Sequence, residues 1–250
     1  MSDSLERTLI ALDFDGTLAP IVLNPATSRP VDGAVETLQE LAGAGAQVGV
    51  ITGRDARTVI ELGGLDRIDG LIVAGLYGAE WWQAGELDTV DTPAAIERLR
   101  AALPDLLAAH HVDPKMWIED KRLSLVVHAR ATADPDGQLA AVRAPIESLA
   151  AEVGLSVEPG KHVLELRIDG HDKGRALREM IRRTGRTRVL FGGDDLGDLP
   201  AFAVIADLAA EGVDASSVAV VSAEAPAVAE AADRVVGSPA ELVELLRDLC

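Results

Sequence analysis

The stretch Leu9-Ile10-Ala11-Leu12-Asp13-Phe14-Asp15-Gly16-Thr17-Leu18 decides the reading of this chain, because an apolar run of strand type ends abruptly in two carboxylates and a glycine. In open α/β sheets ligands bind beyond the carboxyl ends of the strands, so acids there stand where chemistry is done. With a turn beginning between them, one carboxylate and a neighbouring backbone carbonyl can face a cation while the second carboxylate stays free for proton transfer. The same residues also suit ordinary turn chemistry, with Asp13 opening an Asx turn that Asp15-Gly16 continues. Alone, the stretch leaves both readings open.

Working outward, strand and helix signals alternate through the first third. Val31, Val35, Leu38 and Leu41 recur at helical spacing. Val48 to Ile51 reads as a strand ending at Thr52-Gly53-Arg54, Asp55 caps a helix running through Leu62, and Leu71 to Ala74 repeats the strand pattern. The last third resumes this grammar. Asp172 precedes a helix carrying Leu177, Met180 and Ile181 and closed by Gly185, and Val189 to Phe191 is a strand ending at Gly192-Gly193-Asp194-Asp195. Val218 to Val221 is a further strand, and Ser238-Pro239-Ala240-Glu241 reads as a capping box leading into Leu242, Leu245, Leu246 and Leu249. Alternation of this kind implies parallel βαβ units with both faces of the sheet covered.

The middle third follows another pattern. A helix is expected from Pro93 to Ala109, then strands over Met116 to Glu119 and Leu123 to Arg130 around the polar turn Glu119-Asp120-Lys121-Arg122. Ala140 to Ala151 reads as helix and Leu155 to Ile168 as strand around Pro159-Gly160. On Val163 to Ile168, alternation puts Leu164, Leu166 and Ile168 on a core face and Glu165 and Arg167 on a polar one. These signals imply a parallel α/β domain over residues 1–90 and 169–250, interrupted by a smaller α+β domain over 91–168.

The 250 residues, 48% hydrophobic, suffice for two modest cores. A formal charge of −18 disfavours nucleic acid and anionic membrane as partners, since phosphates attract basic surfaces. The lone Cys250 excludes an internal disulfide framework and fits a reducing compartment. Met1 to Thr8 lacks a basic and apolar leader, and no run approaches the ~18 apolar residues of a membrane span, so a cytoplasmic protein is expected.

Thr52, Asp194 and Asp195 stand, like Asp13, at the ends of separate strands, which parallel pairing would gather at one sheet edge. Asp13, Asp15, Asp194 and Asp195 together repel strongly unless a cation is present, and oxygen-only ligands suit Mg²⁺. Lys173 opens a helix, where its ammonium and the free backbone N–H groups favour an anion; the bland alternative is an exposed surface lysine. A hydroxyl, an ammonium and a metal held by aspartates make a receptor for a phosphoryl group, and an adjacent aspartate can serve as nucleophile.

These motifs, LIALDFDGTL, VITGR with Thr52, HDKG with Lys173 and FGGDDLGD with Asp194, Asp195 and Asp198, resemble in order the four motifs of the haloacid dehalogenase superfamily. The resemblance implies a Rossmann-like hydrolase core with an inserted cap. It further implies Asp13 as nucleophile, Asp15 as general acid and then base, and Thr52 and Lys173 as phosphate binders. Mg²⁺ would be held by Asp13, the Asp15 carbonyl and Asp194, with Asp195 and Asp198 in its outer shell. An aspartate at position 15 matches the phosphatases and mutases, where the superfamily's ion pumps carry threonine.

The insert resembles the cap of the sugar-phosphatase branch. GLYGAE at 75–80, WIEDKRLSLVVHAR at 117–130 and EPGKHVLELR at 158–167 are similar to trehalose-6-phosphate phosphatases. That similarity implies that Glu119, Lys121 and Glu165 hold sugar hydroxyls, with His128, Arg130 and Lys161 nearby. Tyr77 stands where many relatives have histidine, Ile168 where proline is common, and Leu199-Pro200 where acids are usual. Arg54 either faces the site or bridges core and cap. Adjacent Trp81 and Trp82 face opposite ways in a strand, so one is expected in the core and the other is a candidate for sugar stacking. His110 and His111 end a helix and diverge, which suits a helix C-terminus better than a metal. The expected activity is Mg²⁺-dependent dephosphorylation of trehalose 6-phosphate. The alternatives are a phosphatase or mutase for another sugar phosphate or a glycosyl phosphoglycerate, and a non-catalytic, phosphorylatable receiver.

Overall fold

Leu9 to Leu12 are fully buried, as a strand covered on both faces requires, and they lie at the centre of a parallel sheet. The structure is a computed structural model and describes residues 5–22, 24–160, 162–167, 170–221 and 226–249. The described residues divide into two units, one running to Thr89 and resuming at His171, the other spanning Val90–Gly170.

In the first unit the chain forms β1 (Thr8–Leu12), α1 (Ala34–Gly43), β2 (Gln47–Ile51), α2 (Ala56–Gly63), β3 (Ile72–Gly75), β4 (Glu80–Gln83) and β5 (Glu86–Thr89). The second unit holds α3 (Ala94–Ala109), β6 (Trp117–Asp120), β7 (Ser124–His128), α4 (Pro135–Val153), β8 (Ser156–Gly160) and β9 (Val163–Arg167). The chain then returns to the first unit with α5 (Lys173–Thr184), β10 (Arg188–Gly193), α6 (Leu199–Ala210), β11 (Asp214–Val220), α7 (Pro226–Ala231), β12 (Arg234–Val236) and α8 (Pro239–Arg247).

The large sheet has the order β12-β11-β10-β1-β2-β3-β4-β5, parallel from β12 to β3, with β4 and β5 added as an antiparallel edge. Strand alternation sends Ile10 and Leu12 to one face, with Leu38 and Leu41 of α1, Val59 of α2 and Leu242 and Leu246 of α8. Leu9 and Ala11 point to the other, with Leu177 and Met180 of α5 and Phe202 and Ile205 of α6. Helices therefore cover both faces. Asp55 and Asp172 cap α2 and α5 by accepting from Thr58 N and Arg175 N, and Gly185 ends α5 in the left-handed region. Ser238 caps α8 through Glu241 N, but the Glu241 carboxylate reaches back to Gly237 N, so the expected box closes one residue early.

In the second unit the sheet order is β6-β7-β9-β8, all antiparallel. Leu125, Val127, Leu164 and Leu166 pack with Leu99 and Leu103 of α3 and Val142 and Ile146 of α4. Glu165 and Arg167 alternate onto the opposite, polar face, as the sequence implies; Ile168 lies outside the described residues. Among the described residues no helix is long and apolar enough to cross a membrane.

Candidate active site

The register of the central strands brings the motif residues to one edge. Leu12 pairs with Gly192 of β10 and with Val50 of β2, so the residues after each strand emerge side by side. Asp13 N donates to Gly192 O at 2.9 Å, and Thr52 N to Ala74 O at 3.0 Å. Beyond Asp13 the chain folds back at once: Ala19 N reaches Phe14 O at 2.8 Å while the Phe14 ring is fully buried, leaving the flanking aspartates at the edge. Gly16 makes this turn at φ +89, and a Cβ there would lie 2.0 Å from Asp194 Oδ2.

Lys173, the first residue of α5, is no surface lysine. It is 3% exposed, with its ammonium 3.0 Å from Asp13 Oδ1, 2.7 Å from Asp198 Oδ1 and 3.6 Å from Asp195 Oδ1. Burial pulls its pKa down, but Asp13 and Asp198 outweigh burial and hold it well above the usual lysine range. Asp198 is fully buried; its Oδ2 accepts from Asp194 N at 3.0 Å and Asp195 N at 3.1 Å, so both oxygens are engaged. Gly193 makes room, since a Cβ there would sit 2.3 Å from Asp198 Cγ. Asp194 accepts from Thr17 Oγ1 at 3.0 Å.

Acids outnumber the one ammonium in this cluster. Burial, with Asp198 and Asp195 adding, pushes Asp194 up to about 7, Lys173 and Thr17 opposing. Burial raises Asp13 well above the carboxylate range despite Lys173. Carboxylate oxygens of Asp13, Asp194 and Asp198 lie within 4.8 Å of one another. Hard oxygen donors carrying excess negative charge fit a divalent cation such as Mg²⁺.

Two details bear on the expected grouping. Asp198, expected in the outer shell, stands inside the cluster, yet its engaged oxygens make it the group that fixes Lys173 and the 194–195 backbone. Asp15, expected to offer its backbone carbonyl to the metal and its carboxylate as acid and then base, has that carboxylate held in place: Arg54 Nη2 donates to Oδ1 at 2.7 Å, Arg54 Nε to Oδ2, and Ser28 Oγ to Oδ1 at 2.9 Å. Its backbone carbonyl remains as the expected metal contribution. The question over Arg54 is thereby answered for the first unit. It clamps Asp15, donates to Pro25 O at 3.0 Å and lies 5.9 Å over the Phe14 ring, while its backbone N bonds Thr52 Oγ1. Hydrogen bonding to Asp15 raises its pKa.

Thr52 is buried at the end of β2, and Tyr77, left-handed at φ 58, donates its backbone N–H to Thr52 O. Its hydroxyl lies where Gly53 leaves space. Leu199-Pro200 opens α6 directly after Asp198. Ser28 and Thr17 escaped the sequence reading; only their proximity in space reveals them.

In the second unit, Glu119 Oε2 meets His128 Nε2 at 2.9 Å, Ser124 Oγ donates to Glu165 Oε1 at 2.7 Å, and Lys121 Nζ lies 3.6 Å from that oxygen. The bond from His128 holds the Glu119 carboxyl below its usual range against burial. Arg130 is exposed just past β7, and Lys161 lies outside the described residues. His128 is buried rather than open to a ligand. Of the Trp81-Trp82 pair, Trp81 is in the core with Arg183 over its ring, as expected of one of the two, and Trp82 packs half-buried on the opposite face. His110 Nδ1 bonds Leu106 O at the end of α3, the helix-terminal role expected.

The family model described as Trehalose-phosphatase matches residues 11–236. An uncharacterized glycosyl hydrolase of Mycobacterium tuberculosis is 38% identical over 208 residues, which are 78% of this chain and 15% of that protein. A trehalose-phosphate phosphatase of Mycobacterium marinum is 34% identical over 211 residues, 80% of this chain and 52% of that protein. The chain thus spans about half the length of that phosphatase and a small part of the hydrolase. In structure it is similar to the C-terminal domain of the C. albicans trehalose-6-phosphate phosphatase, at a TM-score of 0.80 and 21% identity, covering 99% of this chain and 93% of that one. With its ordered motifs at the strand ends and this fold, the chain belongs to the trehalose-phosphatase family, built on the architecture of haloacid dehalogenase-like hydrolases.

Proposed function

We propose that this protein is a Mg²⁺-dependent phosphomonoesterase that hydrolyses trehalose 6-phosphate through an aspartyl-phosphate intermediate. The observation that carries the reading is the buried Lys173 ammonium held between Asp13 and Asp198 beside Asp194. A lysine kept charged at a helix N-terminus is a phosphate receptor, and the carboxylate it touches is placed to attack.

Asp13 attacks phosphorus in line. The bond from phosphorus to the sugar oxygen breaks as Asp15 gives that oxygen a proton, and the phosphoryl group passes to the Asp13 carboxylate. Water then attacks phosphorus with Asp15 as base, the bond to Asp13 breaks, and phosphate leaves. Lys173 and Thr52 bind the phosphoryl oxygens and stabilise the charge that spreads over them. Mg²⁺ held by Asp13, the Asp15 carbonyl and Asp194 would neutralise the carboxylates and the transferring group.

The Arg54 clamp bears on this sequence. Both Asp15 oxygens accept hydrogen bonds, which suits the base of the second half. To act as acid in the first half, Asp15 must give up an Arg54 bond and take up a proton. Glu119, Lys121 and Glu165 are the groups we assign to the sugar hydroxyls, where a missing partner would leave a polar group unpaired and reject the wrong substrate.

The test is Asp13→Asn, which keeps the shape and removes the nucleophile. Turnover should vanish while the fold persists, and acid-quenched native enzyme should carry one phosphoryl group on the peptide containing Asp13. Retained turnover, or a phosphoryl group on another residue, would overturn the mechanism.

A further inference from the structure

Trp117 opens β6 and is 48% exposed. Single exposed apolar residues are common and need no explanation. This one differs in how it is held. Its ring lies parallel to that of His128, its cross-strand partner on β7, with centroids 3.9 Å apart and planes 3° from coincidence. His128 is only 7% exposed; Glu119 fixes it through Nε2, and its Nδ1 is buried with no hydrogen-bond partner among the described residues. The indole is thus braced by an imidazole that a carboxylate braces in turn. Strand alternation puts Trp117, Glu119 and His128 on the face that α3 and α4 do not cover, and the register sets Glu165 of β9 on the same face.

We propose that Trp117 is a further residue of the sugar site assigned above to Glu119, Lys121 and Glu165, the platform on which a pyranose ring stacks, with His128 as its positioning residue rather than a sugar ligand. The proposal rests on the reading of the protein as a sugar phosphatase. A hexopyranose has an apolar C–H face and a rim of hydroxyls. The indole matches the first, and the Glu119 and Glu165 carboxylates with the Lys121 ammonium match the second. A flat aromatic already stacked on a fixed neighbour gives up little conformational freedom on binding. The formal charge of −18 and the two carboxylates on the face disfavour an anionic macromolecule as occupant.

The experiment pairs Trp117→Ala and Trp117→Phe, each on the full chain. With trehalose 6-phosphate, KM should rise about ten-fold for Trp117→Ala and stay within about three-fold for Trp117→Phe, the size expected of a stacking contact. With acetyl phosphate, which has no sugar and no ring, both variants should match the native enzyme. In parallel, unphosphorylated trehalose is titrated against the indole N–H resonance that Trp117→Phe removes. A shift of that resonance supports the subsite even where trehalose 6-phosphate is not turned over, so failure of the phosphatase reading is seen separately. Unchanged KM in Trp117→Ala together with a silent resonance overturns the proposal, as does equal loss on both substrates. A dimer dissociated by Trp117→Ala would assign the face to self-association and overturn it too.

Discussion

Removing the metal from this protein should make its stability fall as pH rises from 5 to 7.5. Asp194 stands at about 7 in the folded protein against 3.8 for an ordinary aspartate, because burial and the neighbouring carboxylates disfavour its charge. Between those values the folded protein keeps a proton that the unfolded chain has released. The contribution of this group to stability is therefore full below about pH 4, declines through the window and is flat above about 7. Three pH units at about 1.4 kcal/mol each give up to about 4 kcal/mol for the ionised, metal-free site. Asp13 shifts in the same direction. At roughly 3 °C per kcal/mol for a domain of this size, the Tm in EDTA should drop by roughly 10 °C. Mg²⁺ binds the ionised carboxylates and should restore roughly 3 kcal/mol at a hundred times its Kd, with the gain larger at pH 7.5 than at pH 5. Differential scanning fluorimetry across pH, with and without Mg²⁺, and with Asp194→Asn as the non-titrating control, measures all of this. A metal-free Tm that rises between pH 5 and 7.5, or a Mg²⁺ gain that Asp194→Asn leaves intact, would refute the reasoning.

Gly16→Ala should disable the metal site from a distance: its Cβ would fall on Asp194 Oδ2, and the left-handed backbone adds strain, together costing about 3 kcal/mol. Calorimetric Mg²⁺ titration should show binding lost and the Tm lowered; native affinity would contradict the geometry. Arg54→Gln removes the two donors that orient Asp15, so turnover of trehalose 6-phosphate should fall about ten-fold, equivalent to ~1.4 kcal/mol. An aryl phosphate whose leaving group needs no proton should lose less in single-turnover release, and an equal loss would detach Arg54 from the acid step.

Legibility in the sequence followed the strength of local patterning. The parallel strands were readable because Leu9 to Leu12 and Val189 to Phe191 are short apolar runs that stop at acids. Helices with side-chain caps, at Asp55 and Asp172, announced their starts. The β4–β5 hairpin lacked a clear signal because Glu86 to Thr89 is a mostly exposed edge strand. Strand β11 begins four residues before the expected Val218, since Asp214 to Ser217 gain their strand character only by pairing with Arg188 to Phe191. The fourth helix starts at Pro135 with Asp134 as cap, five residues before the expected Ala140. Leu199–Ala210 is apolar on nearly every side, Asp207 excepted, so no helical stripe marks it. At the site, the ordered motifs name Asp13, Asp15, Thr52, Lys173 and Asp194, whereas the contacts that aim two of them, Thr17 on Asp194 and Ser28 and Arg54 on Asp15, arise only in the folded chain. Nothing in the sequence marks Trp117 over the Trp81-Trp82 pair, because adjacency does not show which indole a sheet leaves open.

The most direct test is Mg²⁺-dependent phosphate release from trehalose 6-phosphate, glucose 6-phosphate, sucrose 6-phosphate and a glycosyl phosphoglycerate, compared as kcat/KM. The account predicts that trehalose 6-phosphate is strongly preferred and that EDTA abolishes release. A preference for another member would contradict the assignment of Glu119, Lys121 and Glu165, and no release from any would contradict the phosphatase itself.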